Sequence, residues 1–185
     1  MKVLGIAGSH RSGSYNSALL RAAREVAPIG MEIEEIDIRE LPFYDGDVEA
    51  AGDPEPVAAL KAAIRSADAL LVVTPEYNFG VPGVLKNAID WASRPPTGSV
   101  LNGKPAAILG TTPSRTGTAR AQLALRLSFV FTETLVVPGP ELLVAEAGKR
   151  FAEDGRLTDE TTRRHVRELL ERLAAWTTRL CGRPA

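Results

Sequence analysis

The chain has little cysteine, little histidine and no excess of either charge. Its 185 residues include one cysteine, Cys181, and two histidines. A single cysteine cannot form an internal disulfide, and with two histidines it does not supply the ligands of a structural zinc site. Lys and Arg number 22 against 23 Asp and Glu, which gives a net charge of −1. Because the chain has no basic field, neither nucleic acid nor an anionic membrane is expected as a partner.

The sequence also lacks a long apolar run. The apolar segment at residues 2–7 has no basic n-region and is too short to cross a membrane. We therefore expect no signal peptide, no transmembrane helix and a cytoplasmic location. Hydrophobic residues still make up 44% of the chain, and its length suits a single domain, 1–185, with one compact core.

Short apolar segments alternate with segments of helical periodicity. This βαβα order predicts a doubly wound α/β fold, in which right-handed crossovers place helices on both faces of a parallel sheet. Residues 117–131 predict a helix that turns three apolar side chains inward, Leu123, Leu127 and Val130, and residues 158–180 predict a long terminal helix. The five predicted strands are residues 2–7, 31–38, 69–73, 106–110 and 135–137.

The first predicted strand leads into a loop rich in glycine and hydroxyl groups. Residues 8–17 read Gly-Ser-His-Arg-Ser-Gly-Ser-Tyr-Asn-Ser and precede a helical pattern. The hydroxyls, the Asn amide, the backbone N–H groups and Arg11 can all donate hydrogen bonds to an anion near a positive helix N-terminus. The alternative is an ordinary helix cap, which would use Ser14 or Asn16 and leave Ser9 and Arg11 without a role.

The residues of this loop do not match two common nucleotide-binding motifs. Gly8 and Gly13 have the spacing of a Walker A loop, but Ser14 stands where that motif needs Lys. The dinucleotide fingerprint needs three glycines, whereas Gly5 and Gly8 are followed by Arg11. A single terminal phosphate fits the loop better, which points to a mononucleotide such as FMN.

A second polar tip follows the all-apolar strand predicted at 69–73. Residues 74–78 read Thr-Pro-Glu-Tyr-Asn, and order resumes at Pro82, where proline suits the first turn of a helix. Tips of this kind lie at the carboxyl ends of parallel strands, where α/β sheets bind their ligands. Taken alone, the composition of the segment favours an ordinary strand-to-helix loop.

Together these segments resemble the NADPH-dependent FMN reductase family, the flavodoxin-like group that includes quinone, azo and chromate reductases. The first loop of that family reads G-S-x-R-x-x-S-x-N, and residues 8–16 fill every fixed place. Its second motif reads T-P-E-Y-N followed by P-G-x-L-K-N-x-x-D-W, which residues 74–78 and 82–91 match. The resemblance covers about residues 2–137, and it includes residues 41–45 and 117–122, where Gly117-Thr118 replaces the two glycines usual in the family.

The resemblance implies a fold, a cofactor and a set of contacts. The fold is a flavodoxin-like five-stranded parallel sheet with strand order 2-1-3-4-5, and the cofactor is FMN. Its phosphate would lie in the first loop and its ring edge against the tip after the third strand, while the loop after the fourth strand would close the other side. The implied cofactor-binding residues are Ser9, Arg11, Ser14, Tyr15, Asn16, Ser17, Pro75, Glu76, Tyr77, Asn78, Thr111 and Ser114.

The resemblance also implies an enzyme. NADPH, or NADH, would reduce the bound FMN, and a small acceptor such as a quinone, azo compound, chromate or flavin would reoxidise it in a ping-pong cycle. Neither a catalytic side chain nor a metal is required, so Glu76 and Tyr77 are expected to line or support the site. The alternative is a non-enzymatic flavodoxin-like electron carrier, but such carriers are more acidic and have a T-x-T-G-x-T phosphate loop.

A homodimer or homotetramer is expected from the helix that follows Pro82. Its apolar side chains cover more of the helix surface than one core-facing stripe requires, and the family associates through this region. Trp91 is therefore expected at a subunit interface, the alternative being that it packs inside its own domain. The apolar side chains of this helix are Val84, Leu85, Ala88, Ile89, Trp91 and Ala92.

Overall fold

The computed structural model describes residues 1–182, which form one sheet with helices on both of its faces. The strands are β1 (Lys2–Ala7), β2 (Glu32–Ile36), β3 (Ala69–Val73), β4 (Pro105–Thr111), β5 (Leu135–Val136) and β6 (Leu142–Val144). The helices are α1 (Tyr15–Glu25), α2 (Gly46–Ala51), α3 (Glu55–Ser66), α4 (Gly83–Ala92), α5 (Ala119–Phe131) and α6 (Glu160–Leu180), with a 3-10 helix at Ala147–Lys149. All strand pairs are parallel and the order is β2-β1-β3-β4-β5, as expected.

The parallel register brings the carboxyl ends of three strands to one edge. Strands β3 and β4 are buried along their whole length, as unbroken apolar sequences predict for central strands. The backbone N–H of Gly8 donates to the carbonyl of Val73 at 2.9 Å, and that of Thr74 donates to the carbonyl of Leu109 at 2.9 Å. These bonds continue the ladder past the strand ends, so that the loops after β1, β3 and β4 lie side by side.

Two short strands, not one, fill the fifth position of the sheet. Strand β5 pairs with Pro105 and Ala106 of β4, whereas β6 pairs with residues 109–111 of the same strand. The segment between them contains Pro138 and Pro140, and proline has no N–H group to donate to a ladder. The strand predicted at 135–137 is therefore the first half of an interrupted strand.

Trp91 lies inside its own chain, so the expectation that it forms a subunit interface is wrong. Its side chain is fully buried, its indole N–H donates to the carbonyl of Pro42 at 2.8 Å, and its ring meets Tyr44 edge-on at 5.1 Å. The loop after β2 covers the part of α4 that the core does not use. The broad apolar surface of α4 is therefore explained by a second contact within the same chain, with the loop after β2.

Helix α5 faces the opposite way from the prediction. Leu123, Leu127 and Val130 were expected inward but are 59%, 67% and 75% exposed, while Leu125 and Phe129 are buried. The helix has apolar residues on both sides, so its periodicity does not determine which side meets the sheet. The buried amide of Gln122 fixes the orientation, since its Nε2 donates to the Leu142 carbonyl at 3.0 Å and to Thr118 Oγ1 at 3.1 Å.

Helix α6 begins at a carboxylate cap and lies within the predicted range 158–180. Asp159 accepts hydrogen bonds from the backbone N–H of Thr162 at 2.7 Å and from its hydroxyl, and these bonds lower the pKa of Asp159 below its ordinary value. Arg150 pairs with the same carboxylate at 2.9 Å. Although α6 has 21 residues, no helix within residues 1–182 combines the length and apolarity needed to span a bilayer. Its buried face includes Val166, Leu169, Leu170 and Leu173.

Candidate functional site

Ser14 caps helix α1 at the end of the loop after β1. Its Oγ accepts hydrogen bonds from the backbone N–H groups of Asn16 and Ser17, both at 3.2 Å, and its own N–H donates to the Arg11 carbonyl at 3.0 Å. The side chains of Ser9 and Arg11 take no part in this cap, so the cap alone does not explain their presence in the loop. The loop thus combines a capped helix N-terminus with further donors, as an anion site requires.

A cavity of about 410 Å³ adjoins this loop. Its loop side is lined by Ser9, Arg11, Ser12, Ser17 and Arg21. Three hydroxyl groups and two guanidinium groups beside a helix N-terminus supply strong hydrogen-bond donors for a phosphate. Arg21 was not among the predicted contacts; it is the seventh residue of α1, outside the glycine and serine motif.

The far wall of the cavity comes from the end of β2. There the Arg39 guanidinium donates two hydrogen bonds from Nε to Asp37, at 3.0 and 2.8 Å, and pairs with it through a terminal nitrogen. These bonds lower the pKa of Asp37, which stays ionised and neutralises Arg39. The cations that line the loop side, Arg11 and Arg21, are consequently the ones available to an anionic ligand, while Glu35 adds a second carboxylate to the far wall.

Asn16 joins the first loop to the end of β4. Its Nδ2 donates to the Thr111 carbonyl at 2.9 Å, and its Oδ1 accepts from the Thr111 N–H at 2.9 Å. The side chain is 4% exposed. Asn16 was predicted to contact the cofactor; here its amide pairs with a backbone 95 positions away and fixes two site loops relative to each other.

The tip after β3 is a tight two-residue turn. Tyr77 and Gly80 exchange backbone hydrogen bonds at 3.2 and 2.9 Å, and between them Asn78 and Phe79 have positive φ values of 50° and 62°. Asn tolerates the left-handed conformation, but Phe79 adopts it at a cost, so contacts with the surrounding structure must help to hold this turn. The turn presents two aromatic side chains to solvent, with Tyr77 53% and Phe79 70% exposed.

Glu76 turns away from solvent and binds the start of helix α5. Its Oε2 accepts from the backbone N–H groups of Arg120 and Ala121 at 2.9 and 3.2 Å, and Oε1 accepts from the Arg120 guanidinium at 3.2 Å. The Arg120 guanidinium also lies 4.0 Å from the centre of the Phe79 ring. Glu76 therefore connects the tip after β3 to helix α5, and its predicted contact with the cofactor stays a prediction.

The loop after β4 is the third of the loops at the carboxyl edge of the sheet. A chain of hydroxyls links Thr112, Ser114 and Thr116 at 3.3 and 3.1 Å. Gly117 has a φ of +58°, and a Cβ there would lie 2.8 Å from the Leu143 backbone, so this position requires glycine. Thr118 follows with a φ of 68° where the family has a second glycine; its Oγ1 accepts the hydrogen bond from Gln122.

These residues fit a flavin mononucleotide. The first loop and its cavity offer the donor set for a phosphate, and the two other loops border the adjacent edge with exposed aromatic and hydroxyl groups. The buried Thr111 Oγ1 has no hydrogen-bond partner among residues 1–182, which leaves one donor unused beside the site. Tyr77 and Asn78 do not line the cavity beside the first loop.

The comparisons with known proteins agree with this geometry. A sequence model of the NADPH-dependent FMN reductase family matches residues 1–149. The chain belongs to that family. It is 50% identical, over 98% of both chains, to an NAD(P)H-dependent FMN reductase of Pseudomonas aeruginosa. It is 40% identical to a 2-hydroxy-1,4-benzoquinone reductase of a Burkholderia species, over 95% of this chain and 96% of that protein.

A solved structure supports the fold of this family member. The flavoenzyme FerB, an NAD(P)H:(acceptor) oxidoreductase of Paracoccus denitrificans, superposes with a TM-score of 0.88 at 36% identity, covering 96% of this chain and 97% of FerB. The predicted flavodoxin-like α/β fold is confirmed, and the chain is an FMN-dependent NAD(P)H oxidoreductase. The predicted contacts of individual residues with the cofactor stay predictions.

Proposed function

We propose that this reductase passes electrons from NADPH or NADH to a quinone in a ping-pong cycle. The observation that carries the proposal is the placement of the loop at residues 8–17 beside the tip at residues 75–78, at the carboxyl edge of the sheet. Relatives named quinone reductases, such as one of Escherichia coli at 39% identity over 90% of this chain, support a quinone as the acceptor. Azo compounds, chromate and flavin are the other acceptors to be compared.

Each loop has a separate task in this proposal. Arg11 offsets part of the phosphate charge, and the hydroxyls of Ser9 and Ser17 donate hydrogen bonds to it. The proton of the Ser14 hydroxyl is also available, because that oxygen already accepts two bonds. The backbone of residues 76–78 borders the ring. Bound FMN supplies the two-electron transfer chemistry, so no side chain has to act as acid or base. The whole chain serves as one FMN-binding domain.

We further propose that the enzyme is a homodimer, or a homotetramer built from such dimers, through an outer face of α5. The α5 stripe consists of Leu123, Leu127, Val130 and Phe131, spaced at i, i+4, i+7 and i+8 on one helix face and each at least 59% exposed. A contiguous exposed apolar face indicates a protein partner, and an identical copy related by a two-fold axis is the commonest one. Arg120 lies on the same side of α5 and stacks on Phe79, so a partner there would also border the ring half of the site.

The steady-state kinetics test the catalytic part of the proposal. With FMN-loaded protein, double-reciprocal plots against NADPH at several fixed quinone concentrations are expected to give parallel lines. Intersecting lines would show that both substrates bind together and would contradict the cycle. Cys181→Ser serves as a control, because this exposed thiol is expected to take no part in the rate. We place the enzyme in the cytoplasm, which suits a chain with one unpaired cysteine.

A further inference from the structure

The cavity between the first loop and the end of β2 is larger than one phosphate group requires. Its volume of about 410 Å³ lies in the range of pockets that hold a whole small ligand. An FMN phosphate at the N-terminus of α1 would occupy only the side of the cavity next to the loop. The side that is lined by residues 35–39 is left over, and its chemistry indicates the class of a second ligand.

The cavity contains one cation more than the FMN phosphate needs. Arg11 lies in the loop and is assigned to that phosphate, whereas Arg21 lies six residues after the first residue of α1, about 9 Å further along the helix axis. Among residues 1–182, the Arg21 guanidinium forms neither an ion pair nor a hydrogen bond. Arg21 is therefore available to a second anionic group in the same cavity.

The opposite wall of the cavity carries hydrogen-bond acceptors. Glu35 lines it with a carboxylate that has no partner in the described part of the chain, and Asp37 lines it with a carboxylate that Arg39 holds. Carboxylates repel phosphate oxygens but accept hydrogen bonds from hydroxyl groups. A ligand that suits both walls has phosphate on one side and hydroxyl groups on the other, as a ribose phosphate has. A quinone lacks the phosphate and does not match this cavity.

The place of the cavity in the sheet relates it to the electron donor. Strands β2 and β3 lie on either side of β1, so the end of β2 is two strand spacings, about 10 Å, from the tip after β3. A nicotinamide dinucleotide has its nicotinamide at one end and the ribose phosphate of adenosine at the other. It can therefore reach the flavin ring and this cavity together. In other doubly wound folds, a carboxylate that follows the second strand binds the adenosine ribose of such a donor.

Resting on the function proposed above, we propose that this cavity binds the ADP half of the donor and that Glu35 favours NADH over NADPH. Arg21 binds the pyrophosphate, and Glu35 accepts a hydrogen bond from a ribose hydroxyl. NADPH carries a phosphate in place of the 2′-hydroxyl, and the Glu35 carboxylate repels that phosphate. Arg39 does not offset the repulsion, because it is already paired with Asp37.

ADP tests the cavity without the nicotinamide ring. Isothermal titration calorimetry measures the binding of ADP to the FMN-loaded protein. In Arg21→Ala the ADP dissociation constant is expected to rise about tenfold, because a hydrogen bond to a charged group is lost. The FMN dissociation constant is expected to change much less, since Arg11 binds that phosphate. Arg24→Ala is the matched control, because Arg24 lies on the same helix but does not line the cavity.

Glu35→Gln tests the selection between the two donors. Glutamine keeps an oxygen that accepts from a ribose hydroxyl but removes the charge that repels the 2′-phosphate. Anaerobic stopped-flow reduction of the bound FMN gives the second-order rate constants for NADH and NADPH. Their ratio is expected to favour NADH in the wild type and to fall about fivefold in Glu35→Gln, through faster reduction by NADPH. Glu34→Gln is the control, because this exposed neighbour on β2 does not line the cavity.

Each of the following results would overturn the inference. ADP fails to bind the FMN-loaded wild type, or binds only by displacing FMN. Arg21→Ala binds ADP as tightly as the wild type does. The wild type prefers NADPH, or Glu35→Gln leaves the ratio of the two donors unchanged. The proposed function fails separately, if neither NADH nor NADPH reduces the FMN-loaded wild type.

Discussion

Replacing Arg11 with alanine is expected to weaken FMN binding by about 1.5–3 kcal/mol, the range for a hydrogen bond to a charged group. This corresponds to a rise in the dissociation constant of about 10- to 150-fold. Arg11 is the only arginine or lysine in the loop at residues 8–17, and it lines the cavity beside the capped N-terminus of α1. Titration of apoprotein with FMN, followed by flavin fluorescence, measures the change.

Two comparisons separate a phosphate contact from a general effect. Arg24→Ala removes the same charge from the exposed last turn of α1 and is expected to leave the FMN affinity unchanged. Riboflavin has no phosphate, so its weaker binding is expected to be equal in the wild type and in Arg11→Ala. Equal FMN affinity in the wild type and Arg11→Ala would refute the assignment of this loop.

Leu127→Glu is expected to convert the dimer into monomers. Leu127 lies in the middle of the α5 stripe and is 67% exposed in the single chain, so the folded monomer is expected to tolerate the change. In a two-fold dimer, each subunit buries one Leu127 at the interface. At about 1.5–3 kcal/mol for each leucine, the free energy of association becomes less favourable by about 3–6 kcal/mol. Its dissociation constant is then expected to rise at least about a hundredfold. Analytical ultracentrifugation at several concentrations measures it.

Ile29→Glu provides the control for this variant. Ile29 is fully exposed and lies after α1, outside the α5 stripe, so the same substitution there is expected to leave the dimer intact. A Leu127→Glu protein that still sediments as a dimer would show that the subunits associate through another face. A wild-type protein that is monomeric at micromolar concentration would refute the homodimer itself.

Local sequence determined much of the fold. The all-apolar segment at 69–73 matches β3 at both ends, because it is central in the sheet and bounded by polar residues. The first loop and the tip after β3 were predictable because their residues are contiguous and lie where strands end. Their adjacency followed from the parallel order of β1 and β3.

The errors arose at helices that are apolar on two sides, because the sequence pattern then allows two orientations. Helix α5 has an apolar row on each side, and the contacts of Gln122 with Leu142 and Thr118 determine which row is buried. Trp91 was mistaken for an interface residue because its cover is the Pro42 loop, which arrives from 49 positions away. Periodicity gives the faces of a helix but not the element that packs on each face.

Two supporting contacts were beyond prediction for the same reason. Asn16 binds Thr111, and Glu76 binds Arg120, across separations of 95 and 44 residues. Their motifs indicated that these residues belong to the site but not that their polar atoms face other loops. A family motif indicates which residues belong to the site. The structure shows which of those residues hold one site loop to another part of the chain.

The most direct test of the account is an anaerobic half-reaction. FMN-loaded protein is mixed with NADPH without an acceptor, and the flavin absorbance is followed before and after a quinone is added. About one equivalent of NADPH per FMN is expected to remove the yellow absorbance, and the quinone is expected to restore it, because the two substrates react in turn. A flavin that stays yellow with both NADPH and NADH, or that the quinone fails to reoxidise, would contradict the account.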